Sequence, residues 1–412
     1  MQRSKYKHLS DEEWRWFLQQ VEGRERTADK LPTFAAIDDW WYPVRLSCEQ
    51  CSSELTARYK ASLLSPLASG EGKGERFLDL TGGYGVDTFF LSEHFAHTDY
   101  VEQNAELCRI AAHNFALSQK LSIAVHNTTA EDFLLSSPRA GEELCSIGLP
   151  VAVRRTPPGW GLIFLDPARR DSHGGKVFKL ADCTPNVVEL LPALLNRLAP
   201  DGRIMLKLSP MIDITQALKE LQTPPTWDVH VVAVKNEVKE VLLLSKCPND
   251  PINDQMVNNP MVNDQMIKCL DLSHPEQAFF FTRDEEKEAR CPPLEGELER
   301  CCYLFEPNAA ILKAGPYKLI AQRFGLRKLD TNTHLYVSDT LVENFPGRVW
   351  RIKDHMVNAN MVNGQMANVL CRNYPLTAEQ LKKKLRLRDG GTAFVIGCRV
   401  AGKPTLFLAE RL

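Results

Sequence analysis

Phe77-Leu-Asp-Leu-Thr-Gly-Gly-Tyr-Gly-Val-Asp87 is the stretch that decides the fold. Its apolar run ends in the acidic Asp79, a glycine-dense turn follows, and residues 88–95 then have the pattern of an amphipathic helix. Gly83 and Gly85 lack a Cβ, so the turn lets the backbone approach a bound nucleotide closely. The glycine spacing differs from the dinucleotide fingerprint G-x-G-x-x-G, and such a turn is weak support by itself. The stretch predicts a strand, a tight turn and a helix, and the segments after it decide what they form.

Three further strands are predicted after this turn, and each runs into polar residues. Residues 98–102 end in Glu102, residues 122–126 lead into a turn at Thr129, and residues 161–165 are followed by Asp166. The carboxyl ends of parallel strands meet at the crevice where doubly wound sheets bind ligands. Glu102 stands where such a sheet holds ribose hydroxyls, and the alternative is a solvated glutamate that caps the next helix. For Asp166 the alternative is a loop acid that begins an Asp-Pro turn.

A fifth strand over residues 202–208 and a hairpin of residues 226–235 and 238–245 complete the pattern. The order and spacing of these landmarks over residues 76–246 resemble the class I S-adenosylmethionine-dependent methyltransferases. Thr81 stands at the place of the first glycine of that family's first motif. The resemblance implies an α/β fold, with a Rossmann-like sheet that is mostly parallel and has one antiparallel strand. An N-terminal helical segment and small α+β C-terminal domains flank this sheet in the prediction.

The resemblance also implies how S-adenosylmethionine is bound as the cofactor. Asp79 lies near the ammonium group, the turn admits the amino-acid end, and Glu102 holds the ribose. The turn after the third strand contacts adenine in this family, often through an Asp, and Thr129 holds that position here. Glu131 and Asp132 are equally well explained as first-turn helix acids. The predicted cofactor-binding residues are Asp79, Thr81, Gly83, Gly85, Glu102, Thr129, Ala130 and Glu131.

The segment Asp166-Pro-Ala-Arg-Arg170 resembles the fourth motif of nucleic-acid base methyltransferases, in which the acid positions the target amine. Asp166 and Pro167 are the predicted catalytic residues. Arg169 stands where an aromatic would stack on the flipped base, and Arg169 or Arg170 is expected to hold RNA phosphate. The motif also resembles RNA uracil-C5 methyltransferases, but strand five ends in Ser209-Pro without their nucleophilic Cys. An amine or ring-nitrogen acceptor is favoured, with Lys207 and Asp213 as secondary candidates that structural pairing explains equally well.

Composition limits the function classes. The 412 residues predict two to four domains, and the net charge of −2 provides no global field for nucleic acid. The N-terminus lacks the apolar core of a signal peptide and no apolar run of about 18 residues occurs, so we expect a cytoplasmic protein without a membrane partner. The 12 cysteines suggest reduced thiols. Cys48-Glu-Gln-Cys51 has no second pair at zinc-site spacing, so no metal is predicted.

The predicted organisation begins with a helical segment over residues 1–72, in which Ser10 and Glu13 form a capping box. Gln50 and Lys60 either help to line the cofactor pocket, as the resemblance implies, or belong to a surface helix. The methyltransferase domain follows over 73–248. Met261-Val-Asn-Asp-Gln-Met266 and Met361-Val-Asn-Gly-Gln-Met366 form a near-identical repeat whose methionine spacing of five fits neither helix nor strand. Residues 249–275 and 355–368 are therefore predicted to be inserted polar loops without chemistry.

The C-terminal part carries strand patterns at residues 302–307, 334–338, 349–352, 392–397 and 405–408, and a helix capped by Thr377 and Gln380. It resembles the ferredoxin-like and THUMP-like domains of an uncharacterised family of class I methyltransferases known mainly from Bacteroidetes, here over 276–330 and 331–412. THUMP domains accompany tRNA-modifying enzymes, which makes RNA the favoured partner. Lys382, Lys383 and Lys384 belong to the densest basic run, which either contacts RNA phosphate or complements the helix dipole.

The sequence thus predicts a methyltransferase that acts on a base nitrogen of structured RNA, either tRNA or rRNA, without an obligatory protein partner. Two alternatives stay open. The acceptor could be a protein or small molecule, with the C-terminal domains serving as protein-binding or dimerisation modules. The chain could also be a non-catalytic RNA-binding protein that retains the fold.

Overall fold

The structure is a computed structural model that describes residues 6, 8–64, 74–120, 122–136, 159–169, 179–221, 226–246, 265–292, 294, 298–355, 357 and 359–412. The chain forms two compact units, one of residues 1–227 and 242–262 and the other of residues 228–241 and 263–412. In the described part of the chain, every helix is too short or too polar to cross a membrane.

The first unit begins with helices that the sequence specifies locally. Ser10 accepts a hydrogen bond from the Glu13 N–H at 3.2 Å, and the Glu13 carboxylate accepts one from the Ser10 N–H at 2.8 Å. This confirms the predicted capping box, which satisfies two of the free N–H groups at the start of the helix. The helices of this unit are α1 (Asp11–Thr27), α2 (Pro32–Ala35), α3 (Arg45–Gln50), α4 (Glu54–Ser62), α5 (Val86–Leu91), α6 (Ala105–Leu117), α7 (Ala130–Ser136), α8 (Val187–Leu195) and α9 (Ile214–Glu220).

The strands of this unit follow the predicted order along the chain. They are β1 (Gly74–Asp79), β2 (Phe95–Glu102), β3 (Ile123–Asn127), β4 (Trp160–Leu165), β5 (Ala168–Arg169), β6 (Cys183–Thr184) and β7 (Leu198–Leu208). The sheet has the order β3-β2-β1-β4-β7, and all four pairings are parallel. Leu78 of β1 and Ile163 of β4 are fully buried, as expected for central strands that are covered on both faces. β5 and β6 form a separate antiparallel pair.

The predicted hairpin is formed by β8 (Trp227–Val234) and β9 (Glu237–Ser245), and the division between the units falls within it. Its two turn residues, Lys235 and Asn236, have φ angles of 52° and 60°. Positive φ at both positions is the geometry that lets two-residue turns match the twist of the flanking strands. β9 lies between β7 and β8. The chain therefore has the predicted parallel sheet closed by an antiparallel strand.

The second unit contains β10 (Met266–Asp271), which pairs in parallel with β8, and β11 (Phe279–Thr282), which pairs antiparallel with β10. Its second sheet has the order β13-β14-β12-β15-β18-β17-β16, and only β16 and β17 are parallel among the pairings described. These strands are β12 (Tyr303–Pro307), β13 (Arg327–Asp330), β14 (Thr333–Ser338), β15 (Gly347–Asp354), β16 (Asn368–Arg372), β17 (Ala393–Val400) and β18 (Lys403–Arg411).

The helices of the second unit are α10 (Arg283–Glu288), α11 (Ala309–Ala314), α12 (Tyr317–Phe324), α13 (Ala359–Val362) and α14 (Ala378–Leu385). The predicted box of Thr377 and Gln380 caps α14, with hydrogen bonds of 3.2 and 3.0 Å. Leu381 and Leu385 of this helix are buried in a hydrophobic cluster with Val395 of β17. The helix is therefore fixed at its start by local hydrogen bonds and along its length by packing.

The structure corrects the interpretation of the methionine-containing repeats. Within the range 249–275, residues 249–264 lie outside the described part, but Met266–Asp271 forms β10 and buries Ile267 and Cys269. In the range 355–368, Val357 and Val362 are buried in the same cluster as Leu381. The residues that pack are the valines and the isoleucine beside the methionines. The spacing of the methionines therefore does not predict the structure of these segments.

Candidate active site

The glycine turn after β1 is shaped by packing as well as by backbone conformation. Gly83 and Gly85 have φ angles of 57° and 81°, where side chains are disfavoured. A Cβ at Gly85 would lie 2.8 Å from the Phe115 ring, and one at Gly82 would lie 2.1 Å from the Tyr100 ring. A Cβ at Gly83 would meet only the Thr81 carbonyl, at 3.8 Å. Gly82 and Gly85 are thus required by the aromatic rings beneath the turn, and Gly83 by its backbone conformation.

Asp79 ends β1 and is only 1% exposed. Its carboxylate accepts hydrogen bonds from the Thr88 hydroxyl at 2.5 Å and from the Thr81 N–H at 3.0 Å. Burial raises the pKa of Asp79 to about 7, and the neighbouring acids Asp87 and Asp166 add to the rise, while the two hydrogen bonds oppose it. A cationic group that enters the cavity would favour the ionised form.

Glu102 ends β2, next to the glycine turn. One carboxylate oxygen accepts from the Gly83 N–H at 2.9 Å, and the other accepts from the Asn104 N–H at 2.7 Å. Each oxygen has a second lone pair, so the carboxylate can still accept hydrogen bonds from a ligand. Asn104 itself caps α6, since its side chain accepts from the N–H groups of Glu106 and Leu107. The carboxylate of Glu102 is therefore held at the cavity and is not the cap of this helix.

The turn after β3 contributes Thr129, Ala130 and Glu131 to the cavity wall. The Thr129 hydroxyl accepts from the Asp132 N–H at 3.1 Å and donates to the Asp132 carboxylate at 2.9 Å. Asp132 is exposed and belongs to the capping arrangement at the start of α7. The sequence left open whether Glu131 and Asp132 belong to the cavity or to the first turn of the helix. In the structure Glu131 lines the cavity, whereas Asp132 lies at the helix terminus.

These groups surround one cavity of about 410 Å³ in the first unit. The predicted residues in its wall are Asp79, Thr81, Gly83, Gly85, Glu102, Thr129, Ala130, Glu131 and Asp166. Gln50 is also in the wall, as one of the two predictions for it required. The α3 helix and the residues after it add Ser47, Cys51 and Ser52, which the sequence analysis missed. Their contribution depends on how the N-terminal segment packs, which no local motif reveals.

Asp166 follows β4, and its backbone N–H donates to the Thr81 hydroxyl at 2.6 Å. Thr81, in the position of a motif glycine, thereby links the turn after β1 to the residue after β4. The Asp166 carboxylate forms an ion pair with Lys207 of β7, and Lys207 also lines the cavity. Pro167 is buried beside the site but is not part of the cavity wall. Lys207 was only a secondary candidate in the sequence analysis. Its ion pair with Asp166 makes it a stronger candidate for a residue of the active site.

Asp213, the other secondary candidate, and Lys60 have structural roles. The Asp213 side chain caps α9 by accepting from the Gln216 N–H at 2.9 Å. Lys60 is fully buried behind the cavity, where its ammonium nitrogen lies 3.2 Å from the Asp87 carboxylate. It is thus not a lining residue, and it lies on the buried face of α4, whose other face exposes Leu55 and Arg58. Asp87 has only a first-turn helix position as its sequence signal, which does not mark it as a residue of the site.

The remaining predicted substrate residues stay predictions. Arg169 is described by its backbone alone, in β5, and Arg170 lies outside the described residues. Lys382, Lys383 and Lys384 form the last turn of α14 in the second unit, where Lys382 pairs with Asp389. Within the described ranges, no group of three or more His, Cys, Asp or Glu side chains could hold a metal ion.

Comparisons with known proteins agree with this architecture. Residues 303–346 match a family model described as a ferredoxin-like domain, and residues 347–411 match one described as THUMP domain-like. These ranges differ from the predicted 276–330 and 331–412, which remain predictions. No curated protein matches the chain.

Among solved structures, the chain is similar to a protein from Porphyromonas gingivalis W83 that is provisionally assigned as a methyltransferase. The identity is 29%, the TM-score is 0.75, and the match covers 98% of this chain and 92% of that one. Human methyltransferase-like protein 13 in complex with SAH matches at 19% identity and a TM-score of 0.32, over 48% of this chain and 80% of that chain. An rRNA methylase from Streptococcus thermophilus matches at 11% identity and a TM-score of 0.32, over 48% and 98%.

The assignment of the fold rests on the first of these structures and on the two family models. They confirm the predicted α/β methyltransferase fold and the predicted resemblance to methyltransferases with ferredoxin-like and THUMP-like C-terminal domains.

Proposed function

We propose that this protein is a cytoplasmic S-adenosylmethionine-dependent methyltransferase that modifies a base nitrogen of structured RNA, either tRNA or rRNA. The observation that carries the proposal is the single cavity into which the ends of β1, β2 and β4 bring Asp79, Glu102 and Asp166. Acidic groups at successive strand ends are suited to a ligand that presents an ammonium group and ribose hydroxyls. The similarity to the P. gingivalis protein supports the methyltransferase part of the proposal.

The residues present fit S-adenosylmethionine. Asp79 would face the ammonium group, the Glu102 carboxylate would accept from the ribose hydroxyls, and the turn of Thr129, Ala130 and Glu131 would border the adenine. When bound, the cofactor supplies a methyl group on an already activated sulfonium. The chain's own task is therefore to align the acceptor and to exclude water, and Asp166 with Pro167 would position the acceptor nitrogen.

RNA is the favoured acceptor because of the second unit. Its residues 347–411 are THUMP domain-like. Lys383 and Lys384 are exposed on α14, and Arg386 and Arg388 are exposed just after it. Cationic side chains on one short segment can neutralise phosphates even though the net charge of the whole chain is −2. Arg169 and Arg170 would add phosphate contacts beside Asp166.

The proposal is tested by transfer of radiolabelled methyl from S-adenosylmethionine to small RNA isolated from cells that lack the gene. Label should enter RNA with the wild-type protein and be abolished by Asp166→Ala, while calorimetry finds cofactor affinity nearly unchanged in that variant. Asp213→Ala, which removes a carboxylate outside the cavity, serves as the control and should keep transfer. Cofactor binding with no label in RNA would contradict the proposal. Label appearing instead in a protein or metabolite fraction would favour the other acceptor class, and no transfer to any fraction would favour a non-catalytic RNA-binding protein.

A further inference from the structure

A row of four alternating charges runs from behind the cavity into its wall. Lys60 is fully buried, and its ammonium lies 3.2 Å from one Asp87 oxygen. The other Asp87 oxygen accepts from the Ser52 hydroxyl at 2.6 Å and lies 3.8 Å from the Lys207 ammonium. Lys207 is 9% exposed and pairs with Asp166. The row alternates in sign, so neighbouring charges compensate one another where Lys60, Asp87 and Lys207 are buried.

This arrangement holds Lys207 beside the proposed acceptor. Burial disfavours the ionised form of Asp87, but Lys60, Lys207 and Ser52 outweigh it and lower the pKa of this carboxyl. The negative charge of Asp87 therefore persists and attracts Lys207, which also pairs with Asp166. Lys60 compensates the remaining charge of Asp87, so the ammonium of Lys207 is presented to the cavity together with the Asp166 carboxylate.

A fixed ammonium discriminates between two classes of acceptor nitrogen. Methylation of an exocyclic amino group, as in adenine or cytosine, builds positive charge on the acceptor, which a neighbouring ammonium repels. Methylation of a lactam nitrogen, as in guanine N1 or uracil N3, requires loss of the N–H proton and moves negative charge onto the adjacent carbonyl oxygen. An ammonium stabilises that oxygen as a preorganised donor, and a carboxylate at its side can accept the proton.

We infer that the acceptor is the lactam N–H of a guanine or uracil, with Asp166 as the proton acceptor and Lys207 as the donor to the neighbouring carbonyl. This inference rests on the proposed function and deepens it. The N–H proton passes to the Asp166 carboxylate, and the nitrogen lone pair forms the new N–C bond. The C–S bond of the sulfonium breaks with its electron pair remaining on sulfur, and the Lys207 ammonium loses no proton. Both Asp166 and Lys207 are catalytic residues in this assignment, whereas Asp87 is a positioning residue.

The first test is the identity of the labelled nucleoside made by the wild-type protein on RNA from cells that lack the gene. N1-methylguanosine or N3-methyluridine is the expected product. N6-methyladenosine or N4-methylcytidine would overturn the inference and leave the proposed function standing. A complete lack of label in RNA would overturn both.

The second test removes the ammonium. Lys207→Met should lower kcat at least about 100-fold, the cost of removing one oxyanion donor, while calorimetry finds cofactor affinity within about threefold of wild type. The deficit should shrink at alkaline pH, where the lactam ionises without help, and Lys207→Arg should recover part of the rate at neutral pH. Lys219→Met, which changes an exposed lysine of α9, is the matched control and should keep full activity. A Lys207→Met deficit that is constant with pH would assign Lys207 a merely structural role and overturn the inference.

Discussion

At the scale of single residues, Asp79 is the group whose ionisation responds most directly to a ligand. Its pKa of about 7 in the ligand-free protein leaves much of it neutral at pH 6. Only the ionised form pairs with an ammonium, so cofactor affinity should increase about fivefold between pH 6 and pH 7, as the ionised fraction rises. Isothermal titration calorimetry at the two pH values measures this change.

Asp79→Asn is the informative variant for this pH effect. An asparagine does not titrate, so its cofactor affinity should be weak and almost equal at both pH values. Asp213→Asn keeps a good helix cap and should retain the wild-type pH dependence. An unchanged pH dependence in Asp79→Asn would show that another group is responsible.

Glu102 carries a second prediction at this scale. Glu102→Gln removes the charge that would accept from the ribose hydroxyls, and hydrogen bonds to charged groups contribute about 1.5–3 kcal/mol. The dissociation constant for S-adenosylmethionine should rise about 10- to 100-fold. Glu106→Gln, in the exposed pair of Glu106 with Arg109, is the control and should bind normally. Normal binding by Glu102→Gln would remove Glu102 from the ribose role.

The residues of the site differed in how well the sequence could predict them. Asp79, Glu102 and Asp166 end strands, and the strand pattern alone places their side chains at one edge of the sheet. Asp87 and Lys60 are 27 positions apart and meet only because α4 packs against α5. Ser52 joins them from the segment before α4, so this buried network follows from tertiary packing and leaves no local motif.

At the scale of elements, a buried carboxylate joins three strands of the second sheet. Glu306 of β12 is 1% exposed and pairs with Arg348 of β15 at 2.5 Å and with Arg372 of β16. Glu306→Gln would leave two partly exposed guanidinium groups without their counter-charge, and hydrogen bonds to charged groups contribute about 1.5–3 kcal/mol. Urea denaturation should register this loss in the free energy of unfolding.

An exposed pair in the same sheet provides the control for this prediction. Lys353 and Glu410 are 3.0 Å apart and about half exposed. Glu410→Gln should change stability by less than about 1 kcal/mol, as solvent-exposed pairs do. Equal effects of the two substitutions would contradict the assignment of Glu306 as the charge that holds these strands.

Elements with local signals were predicted well, and those without them were not. The capping boxes of α1 and α14 identify their first residues, and alternating β-branched and aromatic residues identify β14 and β17. β10 follows an Asn-rich repeat, and its first residue, Met266, is the last of that repeat. Its strand character depends on pairing with β8 and β11, which a local pattern does not contain. Tertiary pairing overrode the composition of the repeat.

At the scale of the whole molecule, the net charge is near neutral, but the basic residues are unevenly distributed along the chain. The sequence predicted the absence of a global field and the existence of a basic run. The structure adds which members of the run are exposed. Lys382 is paired with Asp389, whereas the side chains of Lys383 and Lys384 are exposed on α14. If RNA binds at this helix, Lys383 and Lys384 should contribute more to phosphate binding than Lys382 does.

The double variant Lys383→Gln/Lys384→Gln should therefore weaken RNA binding and reduce its salt dependence. Each phosphate contact contributes about 0.7–0.9 to the slope of log affinity against log salt concentration, so the slope should fall by about 1.5. Fluorescence anisotropy with a labelled tRNA, at several salt concentrations, measures both quantities. Lys219→Gln/Lys287→Gln removes the same charge from α9 and α10 and should leave the RNA affinity and the slope unchanged. Cofactor binding should be unchanged in both double variants. If the Lys383 and Lys384 variant kept the wild-type slope, the basic turn of α14 would serve only the helix dipole, and RNA recognition would have to be sought at the other predicted phosphate contacts, Arg169 and Arg170.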